Sequence, residues 1–313
     1  MDTTDMTGIR IGKTDADSAL HTHFTVADSP GAAGDFVGSL TSSDFSGYDP
    51  LGQTASLGWI GREDLKGRKG LKRRDVAATL GDYVENDHKQ IASASSKMSS
   101  LIDSIDLTAL KRMLQWSNSR GKVNAGRLLA GADRYRRTAR RSAAPVEAVA
   151  LVVPTGANAG IDANVIFART AVALAAADLL GEAGFTVEVW AYAYSQGCLT
   201  REHKGTRNTL AAVRIKDADE PLNMAVAASA GSAWFFRTGL FGMWAHHGHA
   251  CSSLGHARDM EPAEADVIRD VIGLEKAHVM KVGSGQRSVE AAIKAGVADV
   301  VEALSAWIGG GDA

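Results

Sequence analysis

Residues 148–195 read AVALVVPTGANAGIDANVIFARTAVALAAADLLGEAGFTVEVWAYAYS, and the fold turns on this stretch. Val146–Val153 is a short, nearly unbroken apolar run, the pattern of a central parallel strand buried on both faces. Pro154-Thr155-Gly156-Ala157-Asn158 makes a tight loop at its end. A helix over 163–183 follows, dominated by Ala and Leu, with Gly184 where a C-cap belongs. Thr186–Tyr194 is a second β-rich run. Two parallel strands need a crossover between them, and here the crossover is helical.

Downstream, residues 196–208 read as a polar loop and Thr209–Lys216 as a third strand. Pro221 is placed to start a helix that runs over 222–244, and a helix over 262–270 leads to a strand at 277–282. The last helix covers 288–307. Strands alternating with helices predict an α/β fold with a doubly wound, mainly parallel sheet in a Rossmann-like three-layer sandwich. Ligands of such sheets bind beyond the carboxyl ends of the strands. That edge is expected from Thr155–Asn158, Ser195–Cys198, Lys216–Asp219 and Gly283–Arg287, with Thr155, Asn158 and Arg287 as binding candidates. Gly283-Ser284-Gly285 precedes a helix but has neither the nucleotide-loop nor the dinucleotide spacing. Asp162 and Arg169, seven apart, read as a helix cap and a surface charge.

Upstream the texture differs. Residues 1–57, rich in Asp, Gly, Ser and Thr, read as a loosely ordered segment with short strands around His23–Val26. Residues 58–145 form a basic, mainly helical region, with helices expected from Asp75 and over Asp106–Trp116, and 146–313 form the α/β domain. The net charge of −2 hides a segregation. Residues 1–58 carry eight Asp against Arg10 and Lys13, whereas 59–145 carry 19 Lys/Arg against 9 acids. The basic blocks contain Arg73 and Arg74 in one and Arg136, Arg137 and Arg140 in the other. Clustered cations suffice for phosphate neutralisation, so a nucleic-acid partner is one expectation. A solvated helical face paired with the acidic ends is the plainer one.

Cys198 and Cys251 match no metal or redox pair, which suits a reducing compartment. No apolar signal region is visible near residue 1, and the apolar run 163–180 is interrupted by Asn164, Arg169 and Asp178. A cytoplasmic protein without a membrane span is expected. His246, His247, His249, Cys251 and His256 crowd one loop and are candidate zinc ligands. No Cys-x-x-Cys or His-Glu-x-x-His frames them, so a polar connection at a helix end is the simpler reading.

The strand, loop, helix, glycine and strand of 148–195 resemble the opening half of a von Willebrand factor A domain. The bacterial and phage members that partner AAA-type ATPases are the most similar. In that family the first strand ends in Asp-x-Ser-x-Ser, whose oxygens hold a divalent cation. The matching positions here are Pro154, Gly156 and Asn158, so the motif is broken. Gly121–Gly131, the core and Val213–Arg237 are also similar to an uncharacterised bacteriophage protein family. The resemblance implies a phage-encoded, metal-independent, von Willebrand factor A-like domain. It suggests a non-enzymatic protein, without cofactor, that binds a protein partner such as an AAA-type ATPase. Nucleic-acid binding through residues 62–141 and a metal-dependent hydrolase built on His246–His256 are the alternatives.

Overall fold

The structure is a computed structural model that describes residues 2–14, 20–40, 96–97, 100, 106, 116–117, 122–123, 136–137, 148–156, 161–182, 185–200, 206–247, 249–250, 259–282 and 288–309. Strands β1 (Asp2–Met6), β2 (Ile9–Lys13) and β3 (Thr22–Ala27) precede helix α1 (Pro30–Ser39). Three two-residue strands, β4 (Trp116–Ser117), β5 (Lys122–Val123) and β6 (Arg136–Arg137), make a sheet of their own in the order β4-β6-β5. The core runs through β7 (Ala148–Pro154), α2 (Ala163–Glu182), β8 (Thr186–Thr200) and β9 (Thr206–Lys216). It continues with α3 (Met224–Ala230), α4 (Ala233–Phe235), a π-helical turn at Phe236–Leu240, α5 (Phe241–Ala245) and β10 (His249–Ala250). Helix α6 (Pro262–Ile272), β11 (Ala277–Val279) and α7 (Val289–Gly309) close the chain.

The class is α/β. The main sheet has the order β1-β2-β3-β9-β8-β7-β11, with β10 paired to the far end of β8. Ala148–Pro154 pairs in parallel with Thr186–Tyr192 without a break, as a helical crossover requires. Strand β11 lies parallel on the other side of β7.

The sheet is mixed rather than mainly parallel. Strands β8 and β9 run antiparallel, and the expected polar loop 196–208 is largely strand. Too few residues separate them for the crossover that a parallel pair needs. Strand hydrogen bonds come from the backbone, so the polar side chains after Ser195 do not stop β8. A register shift between Ser195 and Cys198 marks where the ladder leaves the core.

The segment expected to be loosely ordered carries strands and a helix where it is described. Strand β3 adds to β9 in parallel, and β2 and β1 follow antiparallel. Ser29 caps α1, its hydroxyl accepting from the Ala32 N–H, with Pro30 at the start. In the basic region, expected to be mainly helical, Arg136 and Arg137 form a strand. The helices expected from Asp75 and over Asp106–Trp116 lie outside the described residues, Asp106 and Trp116 apart.

One face of the sheet packs against α1, α2 and the α3–α5 segment, the other against α6. Helix α2 is apolar all round because it is covered on two sides, by the sheet and by α7. A Cβ on Gly296 of α7 would come within 3.2 Å of Val172, so the two helices meet closely. Ala163–Gly181 has the length and hydropathy of a membrane span, and 78% of that window is buried inside the fold, as befits a core helix.

The helix expected over 222–244 is broken at Gly231. A Cβ there would fall 2.6 Å from Thr170 Cγ2 on α2, and Ser232 caps the restart by accepting from the Phe235 N–H. Helix α6 is conventionally amphipathic. Ala265, Ile268, Val271 and Ile272 pack with Phe24, Val26 and Trp190, while Glu264 reaches back to the Glu261 N–H at 2.9 Å.

Candidate functional site

Two constellations occupy one edge of the sheet, where β7 and β8 end. The first sits at the end of β7. Strand order reverses at β7, with β8 on one side of it and β11 on the other. Ligands of open α/β sheets bind at the carboxyl ends of the strands. Thr155, expected as a binding residue, is fully buried, and its hydroxyl donates to the Tyr192 carbonyl at 3.1 Å. That bond closes the loop onto β8 and commits the hydroxyl to structure.

Arg169 is the unexpected occupant. It is not a surface charge: it is 5% exposed, reaching from α2 to the Gly156 carbonyl, to which Nη1 donates at 3.4 Å. Its Nε has no hydrogen-bond partner, and no carboxylate forms an ion pair with it among the described residues. Burial lowers its pKa from the ordinary arginine value, while Tyr192 and Asp259 act in the opposite direction. Asp162 behaves as the spacing suggested, its carboxylate accepting from the Asn164 N–H at 2.7 Å. Asn158 and Arg287 lie outside the described residues.

The second constellation lies across β2, β3, β9 and β8. Lys13, His23, Thr209 and Ser195 stand opposite one another on successive strands. They share the face that buries Ile11, Ala211 and Ala193. Over this row comes the end of α5. His23 and His247 meet edge to face with centroids 5.7 Å apart, His21 lies 5.2 Å from His23, and His246 lies 5.8 Å from His247. His247 Nε2 is hydrogen-bonded to Thr25 Oγ1 at 2.7 Å. Thr209 is fully buried, and its hydroxyl has no partner among the described residues.

Of the loop that carries the candidate zinc ligands, His246 and His247 therefore reach the edge, and His249 lies in β10 opposite Thr200. Cys251 and His256 lie outside the described residues. His21 and His23 join the cluster from more than 220 residues away. Their i, i+2 spacing was the available signal, since it puts both on one face of an extended chain. Among the described residues no group of three or more His, Cys, Asp or Glu is arranged to hold a metal ion.

Lys216–Asp219 does not belong to this edge. Because β9 is antiparallel, Lys216 lies beside the start of β8 and donates to the Val187 carbonyl at 2.8 Å. Arg136 and Arg137 lie in β6, while Arg73, Arg74 and Arg140 lie outside the described residues.

A family profile described as a domain of unknown function (DUF7192) matches residues 60–283, well over half of the chain. The chain belongs to this family. The DUF7192 span contains Arg169, His246 and His247, and it begins after β1, β2, β3 and α1, so His21 and His23 come from outside it. No match was found among curated proteins or solved structures.

Proposed function

We propose that this DUF7192 protein is a non-enzymatic, phage-encoded interaction protein built on a metal-independent, von Willebrand factor A-like domain. It engages a protein partner, of the AAA-type ATPase class, through the carboxyl edge of its sheet. The observation that carries this is the position of Arg169. Its guanidinium rests on the Gly156 carbonyl, and Gly156 is one of the three positions matching the cation-binding motif of the A domains. Fixed positive charge there disfavours a divalent cation, by roughly 4 kcal/mol per unit of cation charge at 4 Å in a partly buried site. The parallel β7–α2–β8 unit gives further support.

The test is capture of an ATPase encoded beside this gene by the tagged full chain, with magnesium or with a chelator. Equal capture in both is expected. Loss of capture in chelator would overturn metal independence, and no capture in either would overturn the ATPase as partner.

Nucleic-acid binding is a second reading, favoured by one observation. In the small sheet, Arg137 of β6 stands opposite Trp116 on one side and Lys122 on the other. Aromatic and cationic residues at one cross-strand position suit a nucleic-acid backbone and its bases. Filter binding over a salt series decides it, because phosphate contacts require affinity to fall steeply with salt.

A further inference from the structure

We propose that Arg169 anchors a site for a small oxyanion, a carboxylate or phosphate group bound at the carboxyl end of β7. Removing a guanidinium from water is costly unless a counter-charge or several acceptors meet it. Arg169 meets neither among the described residues: one long bond to the Gly156 carbonyl serves a fork of five N–H donors, and its buried Nε is unanswered. Asp259 acts on it only at longer range and is itself exposed, so water screens its charge.

Position makes a second, independent argument. The guanidinium stands at the carboxyl end of β7, the end of the strands at which open α/β sheets receive ligands. Gly156 presents no side chain there, and Thr155 commits its hydroxyl to the Tyr192 carbonyl. Two oxygens on one atom, as a carboxylate or a phosphate offers, match the guanidinium fork, which is why the chemistry is that of an oxyanion rather than of chloride. The inference goes beyond the partner-binding reading and does not depend on it: a free anion would satisfy it equally.

The test is thermal unfolding of the full chain titrated with sodium phosphate or with sodium acetate, ionic strength being held constant with sodium chloride. A saturable rise in Tm is expected with at least one of the two. A rise with phosphate alone identifies a phosphate site, and with acetate alone a carboxylate site. A general salting effect would be non-saturating and indifferent to Arg169. Arg169→Lys keeps the charge and loses the fork, and should weaken apparent binding about thirtyfold or more. Arg169→Met should abolish the response. Absence of a saturable rise in the wild-type chain overturns the proposal, as does a rise that Arg169→Met retains. Should Arg169→Met fail to fold, the wild-type titration and Arg169→Lys decide.

Discussion

Gly242 of α5 lies against Val37 of α1 so closely that a Cβ on the glycine would fall 2.7 Å from Val37 Cγ1. The two residues are 205 positions apart, and their contact holds the chain's opening helix onto the segment carrying His246 and His247. Gly242→Ala should therefore destabilise the protein by about 1–3 kcal/mol, the usual cost of overpacking. Val37→Ala removes both offending methyls and leaves only a 3.4 Å contact, so the double variant should recover much of that loss. Urea unfolding of the four proteins of the cycle measures the coupling, and strict additivity would show that the backbones move apart instead.

Asp299 of α7 supplies a pH dependence. Burial pushes its carboxyl up. Hydrogen bonds from His278 Nε2 and the Lys281 N–H, both at 2.9 Å, with the charges behind them, outweigh that and hold it below the ordinary value of 3.8. A carboxylate depressed in the folded state stabilises fully above its unfolded pKa, and that stability drains away as pH falls through the folded one. Asp299→Asn should cost about 1.5–3 kcal/mol near neutrality. The gap between variant and wild type should close below about pH 4, as unfolding midpoints across an acid series will show.

Thr25 and His247 join β3 to the end of α5 through a buried hydroxyl. Thr25→Val keeps the shape and deletes the hydrogen bond, leaving an imidazole nitrogen without that partner. A loss of about 1–2 kcal/mol is expected. An unchanged denaturation midpoint would mean that the histidine edge contributes nothing to stability.

Arg169→Met has an expected outcome apart from ligands. In chloride buffer the variant should unfold at the same urea concentration as wild type or a higher one, since a buried charge without a counter-ion is a burden that an apolar side chain lifts. A fall of more than about 2 kcal/mol would reveal a structural pairing for the guanidinium.

The β7–α2–β8 unit was legible because buried parallel strands and a helix covered on two sides are both dense in apolar residues. The β8–β9 pairing was not, because residues 196–208 are mostly polar while Cys198 and Leu199 still pair with Arg207 and Thr206. Arg169 was misread for a related reason. On a helix as uniformly apolar as α2, periodicity cannot say which way a lone arginine points, and its spacing from the capping Asp162 suggested an exposed face. Half of the histidine cluster could be found from the crowding at 246 and 247. The other half depended on β3 lying beside β9, a pairing of residues 22–27 with 208–213 that no local pattern announces.

That same pairing bears on how the molecule can be cut. Trimming the chain to the family span would strip three strands from the flank of β9 and the final helix from the back of α2. The remainder would offer an unpaired ladder of N–H and C=O groups beside bared apolar surface, an invitation to stick to its own copies. Nor can the flank be protected early during synthesis, since the opening strands must wait on the ribosome until residue 216 has emerged.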